Sequence, residues 1–241
     1  MKATKKAKAV CSAFAFLFLF AALLPLAPAR PADSFVELPE GQKAIALTFD
    51  DGPMRPTTLT LLDGLAQRGV PVTFFLIGEQ IPGNEDILRR MAEEGHQIGI
   101  HSYSHIKLTQ LNAADFSAEV DRTRKVLSNV LGDEKFFLRP PYGLTDAGVL
   151  KRAKAPILLW SVDPEDWKDK DPERIAAHII TNAKDGSIVL LHDIYPESVE
   201  AALRVVDALH EKGFYFLTVS DLLALRGITP EEGVIYRHAY P

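Results

Sequence analysis

Five short stretches carry side chains that can do chemistry together. They are Asp50-Asp51-Gly52, His101-Ser102-Tyr103-Ser104-His105, Arg139-Pro140-Pro141-Tyr142-Gly143, Asp163-Pro164-Glu165-Asp166-Trp167 and Leu190-Leu191-His192-Asp193. Neighbouring carboxylates repel, so Asp50 and Asp51 persist best where a cation or a shared proton offsets their charge. Alone, Asp-Asp-Gly-Pro reads as a turn. His101 and His105 stand four residues apart, a spacing that shares one helix face and that a loop can also converge. A lone pair of this kind is more often structural than metal-binding. With a carboxylate such as Asp51 it makes a two-histidine, one-carboxylate set with open coordination positions. Such a set suits Zn²⁺ in a hydrolase or Fe²⁺ in an oxygenase. The other candidates are acid–base groups, which favours hydrolysis.

Arg139 carries a permanent charge, and its fork can hold a carboxylate in one geometry. Pro140-Pro141 stiffens the chain ahead of Tyr142-Gly143, so a backbone N–H there can point at a developing oxyanion. Asp166 can orient His192, which makes that histidine the best general acid in the chain. Trp167, beside Asp166, suits the core or the wall of a small pocket. His96, His178, His210 and His238 are expected to have packing or surface roles.

Strand ends must deliver these groups. Short apolar runs occur at Ile45–Phe49, Val72–Ile77, Gln97–Ile100, Phe136–Leu138, Ile157–Val162, Ile188–Leu191 and Tyr215–Val219. Each is short enough for a buried strand. Between them lie helix-like segments: Phe116–Leu131 sets Phe116, Val120, Leu127 and Leu131 near one face, and Glu197–Glu211 does so with Val199, Leu203 and Val206. Strand–helix alternation predicts parallel strands with helical crossovers, in an α/β domain. Seven such units fit an incomplete barrel or an open doubly wound sheet, and the pattern does not choose. The polar stretches follow five of the seven runs, so they are expected on one rim, where such folds collect binding and chemistry.

Lys2, Lys5, Lys6 and Lys8 open the chain, and an uncharged, mostly apolar run spans Ala9 to Ala29. The run ends in Ala27-Pro28-Ala29, a small-residue site of the kind a signal peptidase cuts. Residues 1–29 therefore read as a signal peptide, with an uncleaved membrane anchor as the rival. Both readings place the folded part outside the cytoplasm, secreted or in the cell envelope. Residues 30–42 read as a linker, 43–225 as the catalytic domain and 226–241 as a C-terminal tail. The single cysteine, Cys11, lies in the leader, which leaves no disulfide or thiol chemistry beyond it. Without the four leader lysines, 23 of the 27 basic residues face 32 acidic ones. That balance excludes a basic nucleic-acid face. The remaining length, about 210 residues, is enough for one domain with a sizeable core.

These stretches, in this order, resemble the signature of the polysaccharide deacetylase family, also called carbohydrate esterase family four, the NodB-like homology domain. The motifs Thr-Phe-Asp-Asp-Gly, His-Ser-x-x-His, Arg-Pro-Pro-Tyr-Gly, Asp-x-x-Asp-Trp and Leu-x-His are all present, and the likeness covers about Lys43 to Leu223. One departure is Ile106, where many members carry proline. The resemblance implies a single-domain, distorted (β/α)₇ barrel with a divalent metal in its mouth, usually zinc, with Co²⁺ or another divalent ion as alternatives. It implies Asp51, His101 and His105 as metal ligands, Asp50 as general base held by Arg139, and His192 as general acid tuned by Asp166. Pro141, Tyr142, Trp167 and Leu190 would bind substrate, with the Tyr142 backbone on the oxyanion and Trp167 and Leu190 around the acetyl methyl.

The expected reaction is hydrolysis of N-acetyl groups on an extracellular glycan. Peptidoglycan is the first candidate, and chitin-like or poly-N-acetylglucosamine chains the next. O-deacetylation of acetylated xylan would use the same site. An inactive glycan-binding module would be expected to have lost a ligand or the base, and none is missing. No protein partner is inferred.

Overall fold

The computed structural model describes residue 38, residues 41–132 and residues 135–241. The leader, its cleavage site, Cys11 and most of the expected linker lie outside these residues. The chain runs β1 (Lys43–Asp50), α1 (Arg55–Arg68), β2 (Thr73–Leu76), α2 (Glu85–Glu93), β3 (Gln97–Ile100), α3 (Ala113–Leu131) and α4 (Ala147–Arg152). It continues through β4 (Ile157–Leu158), α5 (Pro172–Asn182), β5 (Ile188–His192), α6 (Pro196–Glu211), β6 (Phe214–Phe216), α7 (Val219–Leu225) and β7 (Ile235–Tyr236). Two 3-10 turns, Gly78–Gln80 and Pro141–Gly143, interrupt the loops near the strand ends.

β1 is the central strand. β2 pairs with its residues 48–50, β5 with 46–50 and β6 with 43–45. β3 lies beyond β2. Single parallel bridges carry the ring onward from Ile100 to Leu138, from Leu138 to Ile157, and from Val162 to Val189 on β5. The result is the expected distorted (β/α)₇ barrel in a single domain. Closure through isolated bridges, rather than full ladders, is the distortion.

Period-two alternation divides the core into two clusters. Ala44 and Ala46 of β1 pack with Phe75, Phe137, Leu158, Ile188 and Leu217 inside the barrel. Ile45, Leu47 and Phe49 face outward onto helix residues such as Leu61, Leu65, Val205 and Val206. Burying each of the large side chains contributes roughly 1.5–3 kcal/mol. Small residues on the inner face let the barrel close over its own filling. Thr48 and Asp50 continue that inward parity to the strand's C-terminal end.

Several elements depart from the sequence expectation. Phe136–Leu138 contributes only the bridges at Leu138, because Pro140 and Pro141 follow and cannot donate to a ladder. Ile157–Val162 pairs as strand only over Ile157–Leu158, then touches β5 through Val162. β6 ends at Phe216, since Thr218 Oγ1 caps α7 by accepting from Asp221 N at 3.1 Å. Residues 226–241, expected as a tail, carry β7, which pairs in parallel with β4. Ala239 N donates to Gly186 O at 2.7 Å, and Arg226 pairs with Asp185 at 2.5 Å. α3 starts three residues earlier than the apolar pattern predicts, because Asn112 Oδ1 accepts from Ala114 N and Asp115 N. α6 follows its predicted span closely, opening on Pro196.

Candidate active site at the barrel mouth

β1 delivers both aspartates. Strict alternation would send Asp51 to the face opposite Asp50. Asp51 instead takes φ 73°, a left-handed turn that ends the strand and keeps both carboxylates beside His101. Asp51 Oδ1 lies 3.4 Å from His101 Nε2 and 3.2 Å from His105 Nε2, while Asp50 Oδ2 lies 3.7 Å from His101 Nε2.

His101 follows β3 and is buried. Its Nδ1 donates to the Arg139 carbonyl at 2.7 Å, which leaves the Nε2 lone pair facing Asp51. Burial lowers its pKa, against the opposing pull of Asp50 and Asp51. His105 closes the far side of the loop, its ring 4.8 Å from that of Tyr142. One ligand atom from each of Asp51, His101 and His105 falls within 4.8 Å of the others. Asp51 Oδ1 is buried and has no hydrogen-bond partner among the described residues. An orphaned anionic oxygen facing two imidazole nitrogens fits a divalent cation, and this donor set suits one.

Arg139 is fully buried beneath Asp50. Its Nη1 donates to Asp50 Oδ1 at 2.7 Å and to Thr48 Oγ1 at 2.8 Å. Its Nε and Nη2 reach the Leu158 and Leu159 carbonyls, both at 3.3 Å, and the guanidinium lies 4.2 Å from the Phe75 ring centroid. Burial lowers the Arg139 pKa from its ordinary value, while the Asp50 charge opposes that shift.

Across the β1–β5 pairing, Asp50 and His192 are direct register partners. His192 Nδ1 meets Asp166 Oδ1 at 2.8 Å, so Nε2 is the nitrogen left for the cavity. Asp166 Oδ2 also accepts from His192 N at 2.8 Å and from Ser198 Oγ at 2.6 Å. Burial pulls the imidazole pKa down, but the hydrogen bond and charge of Asp166, with Asp50 and Asp51 behind, outweigh it and raise the group to about 9.

These groups surround a cavity of about 380 Å³. Asp50, Asp51, His101 and His105 form one side, and His192 with Leu190 another. Tyr142, Trp160, Asp163 and Trp167 complete the wall. Tyr142 has φ 61° and donates its backbone N–H to no group among the described residues. Arg139, Asp166 and Pro141 stand behind the wall rather than on it; Pro141 opens the 3-10 turn that presents Tyr142. A larger cleft of about 690 Å³, lined by Arg124, Phe136, Lys154, Ala224 and Ile228, contains none of these groups.

No individual role is expected from the sequence for Thr48, Ser198, Trp160 or Asp163, although Thr48 and Asp163 lie within the family motifs. Thr48 acts on the site through Arg139, 91 residues away, and Ser198 lies in α6, far along the chain from the Asp166 it contacts. Trp160 sits inside an apolar run, although Gly143 has no room for a side chain against it, a Cβ there falling 2.8 Å from the indole. His96 packs as expected: it is buried, accepts from Val72 N at 3.1 Å, and burial carries its pKa down to about 4. His178, His210 and His238 are exposed.

Fold and site define an α/β barrel in which an arginine-held carboxylate and a carboxylate-held imidazole flank a metal-ready triad. The polysaccharide deacetylase family model matches residues 37–156. The peptidoglycan-N-acetylmuramic acid deacetylase PdaC of Bacillus subtilis is 36% identical over 199 residues, covering 80% of this chain and 43% of that protein. Its solved structure superposes with a TM-score of 0.76, covering 79% of this chain and 94% of the solved one. A peptidoglycan-N-acetylglucosamine deacetylase of Bacillus cereus is 36% identical over 204 residues, covering 78% of this chain and 91% of that protein. A family 4 acetyl xylan esterase from Clostridium thermocellum, solved with a cobalt ion, is 30% identical with a TM-score of 0.78, covering 81% of this chain and 98% of that one. This chain belongs to the polysaccharide deacetylase family. It spans less than half the length of PdaC and of the Listeria monocytogenes relatives named PgdA.

Proposed function

We propose that this chain is a metal-dependent glycan deacetylase that hydrolyses N-acetyl groups, with peptidoglycan as its substrate. The observation that carries the proposal is the convergence of Asp50–Arg139, His192–Asp166 and the Asp51, His101, His105 triad on one cavity. Peptidoglycan is favoured because relatives named for its deacetylation match over most of this chain.

Asp51, His101 and His105 would hold the metal, with zinc the choice for such ligands and cobalt its replacement. A divalent metal there supplies Lewis acidity, lowering the pKa of water and polarising a carbonyl. Asp50, held by Arg139, takes the proton of the attacking water. The Tyr142 N–H donates to the oxygen on which charge develops. His192, protonated through its pairing with Asp166, delivers a proton to the leaving amine as the C–N bond breaks. An amine leaves poorly unless protonated, which is why a separate acid faces the base. Acetate and a free amino sugar result. Trp167 and Leu190 enclose the acetyl methyl and exclude bulk water.

A second reading, removal of O-acetyl groups from xylan, has support from the likeness to the C. thermocellum esterase. Acetate release over peptidoglycan fragments, chito-oligosaccharides and acetylated xylan, beside metal content per chain, tests both. Release from N-acetylated glycans that is lost on chelation and restored by Zn²⁺ or Co²⁺ supports the proposal. Release from xylan alone, or full turnover at nil metal content, refutes it. We also propose export through residues 1–29, on the basic start, apolar run and cleavage site; the N-terminal sequence of protein recovered outside the cell tests this.

A further inference from the structure

The loop that carries both histidines is held on two sides by groups outside the cavity. Beyond β2, Gly78 N donates to the Ser102 carbonyl at 3.0 Å and Glu79 N to the Tyr103 carbonyl at 2.9 Å. On the other side, α3 presents Glu119. Its Oε2 accepts from Tyr103 N and from Ser104 N, both at 2.9 Å, and its Oε1 accepts from Ser104 Oγ at 2.8 Å. Glu119 is only 8% exposed and has no Lys, Arg or His partner among the described residues. A buried carboxylate without a cation is costly unless hydrogen bonds satisfy it, and here all three donors come from the histidine loop.

That loop needs holding. Ser102 has φ 62° and His105 φ 56°, left-handed conformations that non-glycine residues keep only where their surroundings enforce them. His101 is secured by β3 and the Arg139 carbonyl. His105 is partly exposed, and its place relative to His101 is set through Ser102, Tyr103 and Ser104. Tyr103 is clamped as well, with the Arg122 guanidinium 3.6 Å from its ring centroid.

We infer that Glu119 is a positioning residue for the metal-holding histidines: by accepting the Tyr103 and Ser104 N–H groups, it sets the loop in its chelating shape before metal arrives. The inference rests on the reading of Asp51, His101 and His105 as a metal site. Partners one step behind metal ligands typically change affinity about 10–100-fold when removed.

The test uses the full chain stripped of metal and titrated with Co²⁺ and Zn²⁺ against a competing chelator. Glu119→Ala should weaken both metals about 10–100-fold while unfolding cooperatively. Excess metal should restore its turnover, a rescue that a collapsed fold would not show. Glu119→Gln can still accept both N–H groups through its amide oxygen and donate to Ser104 Oγ, so its affinity should stay within about threefold of wild type. Amide exchange on the metal-free wild type supplies a readout that needs no variant: Tyr103 and Ser104 should already be protected. Wild-type affinity in Glu119→Ala, equal loss in Glu119→Gln, or protection of those amides only after metal addition overturns the inference alone. A wild-type chain that takes up neither metal overturns the metal site with it.

Discussion

At the scale of single residues, the two aspartates are neighbours with different surroundings. Asp51 Oδ1 faces two imidazoles without a hydrogen bond, whereas Asp50 is tied to Arg139. Asp51→Asn exchanges an anionic ligand for a weaker neutral one, so metal per chain and acetate release should fall together. Asp50→Asn should keep the metal and substrate affinity yet lose about 10²–10⁴-fold in turnover, since an amide cannot accept the proton. Equal metal loss in both variants would make Asp50 a ligand as well. His192 offers a pH test. Its pKa stands raised to about 9 in the folded chain, so the acid form persists through neutral pH and is lost above that value. Asp166→Asn removes the main upward influence and leaves burial's downward pull, so the pKa must drop. The alkaline limb of kcat/KM should move to lower pH, and imidazole signals in metal-free protein should follow; an unmoved limb refutes His192 as the acid. The same raised pKa stabilises the metal-free fold fully below the ordinary 6.5, and that contribution is lost as pH rises through about 9.

At the scale of elements, the turn after β1 is built against β5. Gly52 lies on the buried Asp193 carboxyl, and a Cβ there would fall 2.5 Å from both of its oxygens. Thr58 of α1 donates to that carboxyl as well, and Thr58 Oγ1 accepts from Met54 N at 2.9 Å. The turn at Gly52 and the start of α1 thus both pack on the Asp193 carboxyl, the first by close contact and the second through Thr58. Burial pushes Asp193 up to about 7, against the hydrogen bond from Thr58. Gly52→Ala must move the turn, at a cost of about 1–3 kcal/mol, and should displace Asp51. Metal affinity should therefore fall more than stability does. Unchanged metal uptake with an intact fold would show that the turn tolerates the methyl without carrying Asp51 along.

At the scale of the whole molecule, the chain's last residues belong to the barrel. Ile157 N donates to Val234 O at 2.9 Å and Leu159 N to Tyr236 O at 2.8 Å. Deleting residues 227–241 strands two buried amides, each worth roughly 1–3 kcal/mol. At the low end this is about 2 kcal/mol, which lowers Tm by about 4–8 °C in a domain of this size. Thermal unfolding of the truncated chain checks it; an unchanged Tm would mean that β7 only rests on β4. The effect should reach the site, because Leu158 and Leu159 supply the carbonyls that hold Arg139.

Residue identity alone determined the chemistry on offer. Two adjacent carboxylates, a histidine pair at four-residue spacing, an arginine before two prolines and a histidine closing an apolar run are legible because side-chain chemistry is local. The apolar runs of β1, β2, β3 and β5 were legible for a similar reason: buried strands are continuous apolar segments bounded by breakers. Pairing was not. That β1 lies between β2 and β5, which puts Asp50 opposite His192, is a long-range register that no local pattern encodes. The single bridges at Leu138 and Val162 and the two-residue β7 are too short to leave a periodicity. The supporting partners escaped for the same reason. Thr48, Ser198 and Glu119 act through hydrogen bonds to groups 91, 32 and 16 residues away, and only the folded chain brings them within reach.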